Sequence, residues 1–182
     1  MSLTNPALKR VMRRAGVERV NNSVFQVLNT HVDELVSDIM YDCLVFMRNS
    51  SRKTILLQDL YNVMQIRGTP LAISYVSTSK SFNLVKNFDS SRSVKKNASR
   101  EVKQAQKTPG LVIPRKNFVD LIRSKTHHDD IKGSDKVHLK TDFYNVFQLY
   151  LENSLVSLTQ RAMIVSQSKT LTSKDVETVL RL

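Results

Sequence analysis

The sequence predicts an all-α protein in which one helical pattern occurs twice. Four glycines, four prolines and no tryptophan in 182 residues provide few of the turns that an all-β protein needs. Apolar residues recur at spacings of three and four over one long stretch in each half of the chain, which is the periodicity of amphipathic helices. Each long stretch has a short helical pattern before and after it, so the chain divides into two units of similar design.

The first unit is predicted to contain a short basic helix, a long helix and a second short helix. The basic helix spans Pro6 to Ala15 and stops at Gly16, and the last helix spans Leu56 to Ile66. The long helix runs from Asn22 to Asn49. Its apolar stripe consists of Val24, Leu28, Val32, Leu35, Ile39, Cys43 and Phe46, and it is widened by Phe25, Val36, Met40 and Met47. A stripe this broad indicates protein on more than one side of the helix.

The second unit repeats the pattern near the C-terminus. A short helix is predicted from Arg115 to Lys125, followed by a polar loop and a long helix from Lys140 to Gln167. The stripe of the long helix consists of Phe143, Phe147, Leu151, Leu155, Leu158, Ala162 and Val165. Thr172 then has the character of an N-cap, with Asp175 in the capping-box position, and the last helix reaches Leu182.

A polar segment separates the two units. From Tyr75 to Thr108 the chain is rich in serine, lysine and asparagine and carries eight basic residues against two acidic ones. We expect a solvated linker over 75–96, with any contact of its lysines to a partner left open, and a short polar helix over Asn97 to Gln106. The predicted division is therefore 1–74 for the first unit and 97–182 for the second.

Composition predicts a polyanionic partner. The chain has 28 basic and 16 acidic residues, a net charge of +12 and a pI of about 10.0, which favours nucleic acid first and an anionic membrane second. No apolar run approaches the ~20 residues of a spanning helix, and the first residues lack the apolar core of a signal peptide, so we expect an intracellular protein without a membrane partner. The single cysteine, Cys43, fits a reducing compartment and a place in the core.

No pattern in the sequence predicts an enzyme, a cofactor or a metal. A glycine-rich phosphate loop, a nucleophile motif and a paired-carboxylate signature are all missing from the sequence. The run His127, His128, Asp129, Asp130 suggests a metal site at first sight. Four adjacent residues cannot all converge on one ion, and no spaced ligands accompany them, so we reject that interpretation.

Residues Pro6 to Gly68 resemble histone four from its first core helix to its last, without a gap. The resemblance is carried by the opening PALKR, the turn RRAGVER, the loop RKT at residues 52–54 and the Asp59 that follows. Each of these is weak alone, and together they are in register over 63 positions.

The segment REVKQAQKTPGLVIPRKNFVDLIR, from Arg100 to Arg123, resembles the extra N-terminal helix and first core helix of histone three. Farther on, KTLTSKDVETVLRL also suits the histone that pairs with histone two A. The chain is thus similar to the fused histone doublets of certain giant DNA viruses. The resemblance implies two histone folds in tandem that form an intramolecular handshake heterodimer, in which the first loop of one fold lies beside the second loop of the other.

The resemblance also implies a set of DNA-binding residues. Arg19 matches the minor-groove arginine of the first loop, and Asp120 stands where the family usually carries an arginine. The other implied positions in the first unit are Lys9, Arg10, Arg13, Arg52, Lys53 and Thr54. Those in the second unit are Arg100, Lys107, Arg115, Arg123, Lys132, Lys136, Lys169 and Thr170.

These observations lead to two hypotheses. The first is an architectural protein, without cofactor, that wraps double-stranded DNA into nucleosome-like particles together with a second copy of itself and a second histone pair like histones two A and two B. Such a protein is expected in the nucleus or a viral factory, and in the virion. The alternative is a histone-fold subunit of a transcription or replication complex, which would keep the pairing residues and lose several of the arginines.

Overall fold

A computed structural model describes residues 2–69, 71, 111–126, 137–166 and 170–182. The first unit contains α1 (Asn5–Arg14), β1 (Arg19–Val20), α2 (Asn22–Asn49), β2 (Thr54–Ile55) and α3 (Leu57–Ile66). The second unit contains α4 (Arg115–Thr126), β3 (His138–Leu139), α5 (Thr141–Ser166), β4 (Thr170–Leu171) and α6 (Ser173–Arg181). The predicted linker over 75–96 and the predicted polar helix over 97–106 lie outside the described residues.

The described helices begin and end within one residue of their predicted boundaries. Gly16 and Gly68 follow α1 and α3 with φ of 97° and 68°, a left-handed conformation that ends a helix and that glycine adopts without strain. The Asn21 side chain caps α2 by accepting a hydrogen bond from the Ser23 N–H at 3.4 Å. One predicted stripe position was wrong: Val165 is 43% exposed, because the last turn of α5 projects past the core.

Four two-residue strands, which the sequence did not predict, join the two units. β1 pairs with β4 in parallel, with Arg19 opposite Thr170, and the Asn21 N–H donates to the Leu171 carbonyl at 3.0 Å. β2 pairs with β3 in parallel, with Thr54 opposite His138. Both pairs therefore consist of one strand from each unit, and each unit contributes the segments on both sides of its long helix.

The two units share one hydrophobic core. Helix α2 packs against α3 of its own unit and against α4 and α6 of the other, while α5 packs against α6, α1 and α3. Contacts on several sides account for the broad predicted stripe of α2, whose widening residues Phe25, Val36, Met40 and Met47 are all buried. In the second unit Phe118, Phe143 and Phe147 are fully buried and meet edge to face.

Two polar contacts also connect the units. Glu152 on α5 is fully buried; it accepts the backbone N–H groups of Val112 and Ile113 at 2.8 to 2.9 Å, and lies 3.7 Å from the guanidinium of Arg14 on α1. A buried carboxylate needs such donors because burial removes its water. Lys125 at the end of α4 forms an ion pair with Asp33 on α2 at 2.6 Å.

We predict that neither unit folds alone, because each long helix buries its apolar residues against the other unit. Fragments 1–74 and 97–182 should each unfold without a cooperative transition, whereas the full chain should unfold in one. Far-ultraviolet circular dichroism during thermal unfolding measures this. An isolated first unit with a cooperative transition would contradict the shared core.

Candidate nucleic-acid interface

The two strand pairs lie at opposite ends of α2. Strand β1 ends directly before this helix and β2 follows its last turn, and a helix of 28 residues is about 42 Å long. We call the first pair, residues 18–21 with 170–171, the Arg19 junction. The second pair, residues 52–55 with 137–139, is the Lys53 junction. Each junction combines a loop of the first unit with a loop of the second.

At the Arg19 junction, the side chain of Arg19 is exposed and its backbone lies opposite Thr170. Val20 is half-buried, and its strand partner Leu171 is buried in the core. Successive side chains of a strand point to opposite faces. Val20 and its partner Leu171 lie on the core side, so the side chain of Arg19 points toward solvent. The junction therefore presents an arginine whose backbone is held by both units.

At the Lys53 junction, the predicted phosphate ligands have different surroundings. Arg52 donates to both carboxylate oxygens of Asp59, at 2.7 and 3.2 Å, and to the Thr54 carbonyl at 3.2 Å. The hydrogen bond to Asp59 raises the pKa of Arg52, and Asp59 is only 2% exposed. Lys53 is exposed, and its carbonyl accepts the His138 N–H at 3.0 Å. Arg52 thus fastens the loop to α3, while the side chain of Lys53 faces solvent.

Asp175 on α6 occupies the position in the second unit that Asp59 occupies in the first. It accepts hydrogen bonds from the N–H and the hydroxyl of Thr172, at 2.9 and 2.7 Å. Burial acts to raise the pKa of Asp175, but these bonds and one from the Ser166 hydroxyl outweigh burial and lower it. Hydroxyl and N–H groups therefore hold this carboxylate, in place of the guanidinium that holds Asp59.

The basic short helices complete the candidate surface. In α1, Ala7, Leu8, Val11 and Met12 are buried and the basic side chains lie on the other face. That exposed face carries Lys9, Arg10, Arg13 and Arg14. On α4, Arg123 is exposed, and Arg115 is half-buried and donates to the Asn145 side chain at 2.6 Å. Asp120 is half-buried on the same helix.

The structure describes ten of the fifteen predicted DNA-binding residues. They form four groups: Arg19 with Thr170, the loop 52–54, the exposed face of α1, and Arg115 with Arg123 on α4. The other five are Arg100, Lys107, Lys132, Lys136 and Lys169, which lie outside the described residues. His138, which no pattern in the sequence indicated, lies opposite Thr54.

Other kinds of site have less support. In the described part of the chain no helix is long and apolar enough to cross a membrane. No group of metal-binding side chains occurs among those same residues, and the 127–130 run lies outside them. Cys43 is fully buried, and burial raises the pKa of its thiol far above the ordinary range, which makes it a core residue and a poor nucleophile.

Comparison with known proteins identifies the fold. No family model matches the chain. It is 31% identical over 67 residues to Histone H4 of Encephalitozoon cuniculi (strain GB-M1), a match that covers 37% of this chain and 65% of that protein. It is 25% identical over 69 residues to Histone H4 of Entamoeba histolytica, covering 38% and 58%. The chain thus spans less than two thirds of the length of these relatives.

The solved structure of the histone from Methanopyrus kandleri is also similar. The two structures superpose with a TM-score of 0.55 at 14% identity, over 97% of this chain and 92% of that one. The predicted all-α histone fold is confirmed by this likeness. The superposition extends over nearly the whole of both chains, so the likeness is not limited to one unit.

We predict unequal roles for the two matched aspartates. Asp59→Ala removes the acceptor of both the Leu56 N–H and Arg52, and should lower the free energy of unfolding by about 2 kcal/mol. Asp175→Ala removes hydrogen bonds that come from neutral donors and should cost about 1 kcal/mol. Because the pKa of Asp175 is lowered, its contribution is present above about pH 4 and lost below it. Urea unfolding of both variants measures the difference, and equal losses would contradict it.

Proposed function

We propose that this protein is an architectural DNA-packaging protein that binds and wraps double-stranded DNA without reading its sequence, and forms nucleosome-like particles. The observation that carries the proposal is the pair of loop junctions at opposite ends of α2, one with exposed Arg19 and the other with exposed Lys53. Sequence-independent binding needs lysine and arginine contacts to phosphates, and needs no side chain at the base edges.

The proposed arrangement is a fused doublet. Residues 1–74 form a histone-four-like fold, 75–96 a linker and 97–182 a histone-three-like fold, similar to the doublets of giant DNA viruses. Each unit alone has the order helix, strand, long helix, strand, helix, and both strand pairs connect the two units. The superposition with the Methanopyrus kandleri histone over nearly the full length of both chains supports a histone fold to which both units contribute. In this arrangement the handshake heterodimer is made by a single polypeptide.

The spacing of the junctions favours wrapping over a single local contact. They are separated by the length of α2, about 42 Å, while one turn of B-DNA spans about 34 Å. A duplex that contacts both junctions must therefore follow the protein over more than one turn. The exposed basic face of α1 supplies further charge for the phosphates. An arginine at an inward-facing minor groove, the role proposed for Arg19, needs no specific base.

The proposed partners are a second copy of the chain and a second histone pair like histones two A and two B. Large exposed apolar side chains are available for such contacts. Ile164 and Val165 are exposed at the end of α5, and Leu180 and Leu182 near the end of α6. Tyr41 and Val45 are exposed on α2, and Ile66 on α3. The proposal implies a DNA-bound location in the nucleus, or in the viral factory and virion.

We predict that binding depends steeply on salt and weakly on sequence. Affinities for several unrelated duplexes, measured by fluorescence anisotropy from 50 to 200 mM salt, should agree within a few fold and decrease linearly on a logarithmic scale. Nuclease digestion of reconstituted complexes should yield a discrete protected length. A strong preference for one short site would support a regulatory subunit instead, and a smear of protected fragments would exclude an ordered particle.

We predict different defects for Arg19→Lys and Lys53→Ala. Lysine keeps the charge but holds its hydration more strongly than a guanidinium, so Arg19→Lys should weaken nuclease protection and leave affinity for a short duplex nearly unchanged. Lys53→Ala should lower both and reduce the salt slope by about one unit. Each variant is measured in both assays. Wild-type protection in Arg19→Lys would exclude a minor-groove role for that residue.

A further inference from the structure

Asn145 on α5 has an unusual environment. It is only 8% exposed, and its Oδ1 accepts a hydrogen bond from Nη1 of Arg115 at 2.6 Å. Its Nδ2 is buried and has no hydrogen-bond partner, and it is the one buried side-chain nitrogen or oxygen in the described part of the chain with that property. A buried donor without an acceptor destabilises the folded state.

An aspartate of the same shape would remove that cost, because its two oxygens accept and it has no donor to leave unpaired. The protein uses carboxylates in this way elsewhere. Arg52 is paired with Asp59 at 2.7 Å and Arg67 with Asp42 at 2.6 Å. Each of these ion pairs holds a guanidinium in place and also neutralises it. The amide of Asn145 holds Arg115 in place without neutralising it.

The charge of Arg115 is consequently left for another partner. No carboxylate of a described residue forms an ion pair with Arg115. The nearby buried acid, Glu152, lies two helical turns farther along α5 and is satisfied by the N–H groups of Val112 and Ile113 and by Arg14. Arg115 is the first residue of α4, where the N–H groups of the first turn add partial positive charge. The side chain of Arg115 is therefore charged, half-buried and held in one orientation.

We propose that Asn145 is a positioning residue that orients Arg115 toward a DNA phosphate and leaves its full charge available to that phosphate. This inference rests on the proposed DNA-binding function. It assigns a role to the unsatisfied amide of Asn145. As a neutral acceptor, this amide lowers folding stability through its unpaired Nδ2, but it leaves the charge of Arg115 available for binding. A guanidinium already held by one hydrogen bond also loses less side-chain freedom when it binds phosphate.

The test is Asn145→Asp in the full-length chain. The new carboxylate should pair with Arg115 and neutralise it, so the salt slope of duplex binding should decrease by about 0.9 and affinity at 0.1 M salt should decrease roughly eightfold. The thermal unfolding midpoint should not decrease, because the orphaned donor is gone. The matched control is Asn62→Asp on α3, which changes net charge equally but accepts only from Gln58, and should keep the wild-type slope.

Two further variants separate positioning from a merely structural effect. Asn145→Ala removes the acceptor and adds no charge, so affinity should decrease a few fold at unchanged salt slope. In an Arg115→Gln background, neither Asn145→Asp nor Asn145→Ala should change the affinity or the salt slope any further. If Asn145→Asp does not fold, Asn145→Ala alone decides: wild-type affinity would overturn the inference.

The outcomes distinguish this inference from the proposed function. Wild-type protein that does not bind duplex DNA would contradict both. Wild-type protein that binds with a steep salt slope, together with an Asn145→Asp variant of equal slope and affinity, would contradict only the role of Asn145. The same would follow if the Asn145→Asp defect persisted in the Arg115→Gln background.

Discussion

The structure depends on one constraint: neither long helix can bury its apolar residues within its own unit. Helix α2 has core residues toward α3, α4 and α6, and α5 has them toward α1, α3 and α6. A single continuous core is the result, and burying it is the main favourable contribution to folding. The loops follow from this packing, because the ends of the long helices bring β1 next to β4 and β2 next to β3. The surface proposed to bind DNA across these loops exists only when both units are folded together.

Several acidic residues of this highly basic protein hold parts of the fold together. Asp59 and Glu152 are buried, and each holds a loop or a chain segment through several hydrogen bonds. Asp33 and Asp42 each pair with a basic side chain that comes from another helix. Such pairs cancel charge locally. On α1, the charged side chains of the exposed face, Lys9, Arg10, Arg13 and Arg14, are all basic, and one of them, Arg14, lies 3.7 Å from Glu152. A face of like charge raises the positive potential at the surface proposed for DNA.

Periodicity predicted the helices well because each stripe extends over many turns. The boundaries of α2 agree fully with the prediction, and Gly16 and Asn21 mark the ends of two helices through backbone chemistry that is visible in sequence. The strands were missed because two residues are too few to show alternation. Their pairing between units was accessible only through the family resemblance. The ion pair between Arg52 and Asp59 was also missed, because the two residues are seven positions apart across a turn and a strand. Buried amides such as Asn145 have no pattern at all, since their partners come from distant helices.

The parallel pairing of β1 with β4 determines how late in synthesis the Arg19 junction can form. Arg19 lies opposite Thr170, so this junction cannot form until Thr170 has left the ribosome. At ordinary rates of translation this delay is on the order of ten seconds, during which the apolar face of α2 lacks the contacts that α4 and α6 provide. A newly made first unit therefore exposes apolar surface that the second unit later covers. Contacts between residues so distant in sequence also slow folding, because a large loop must close before they form.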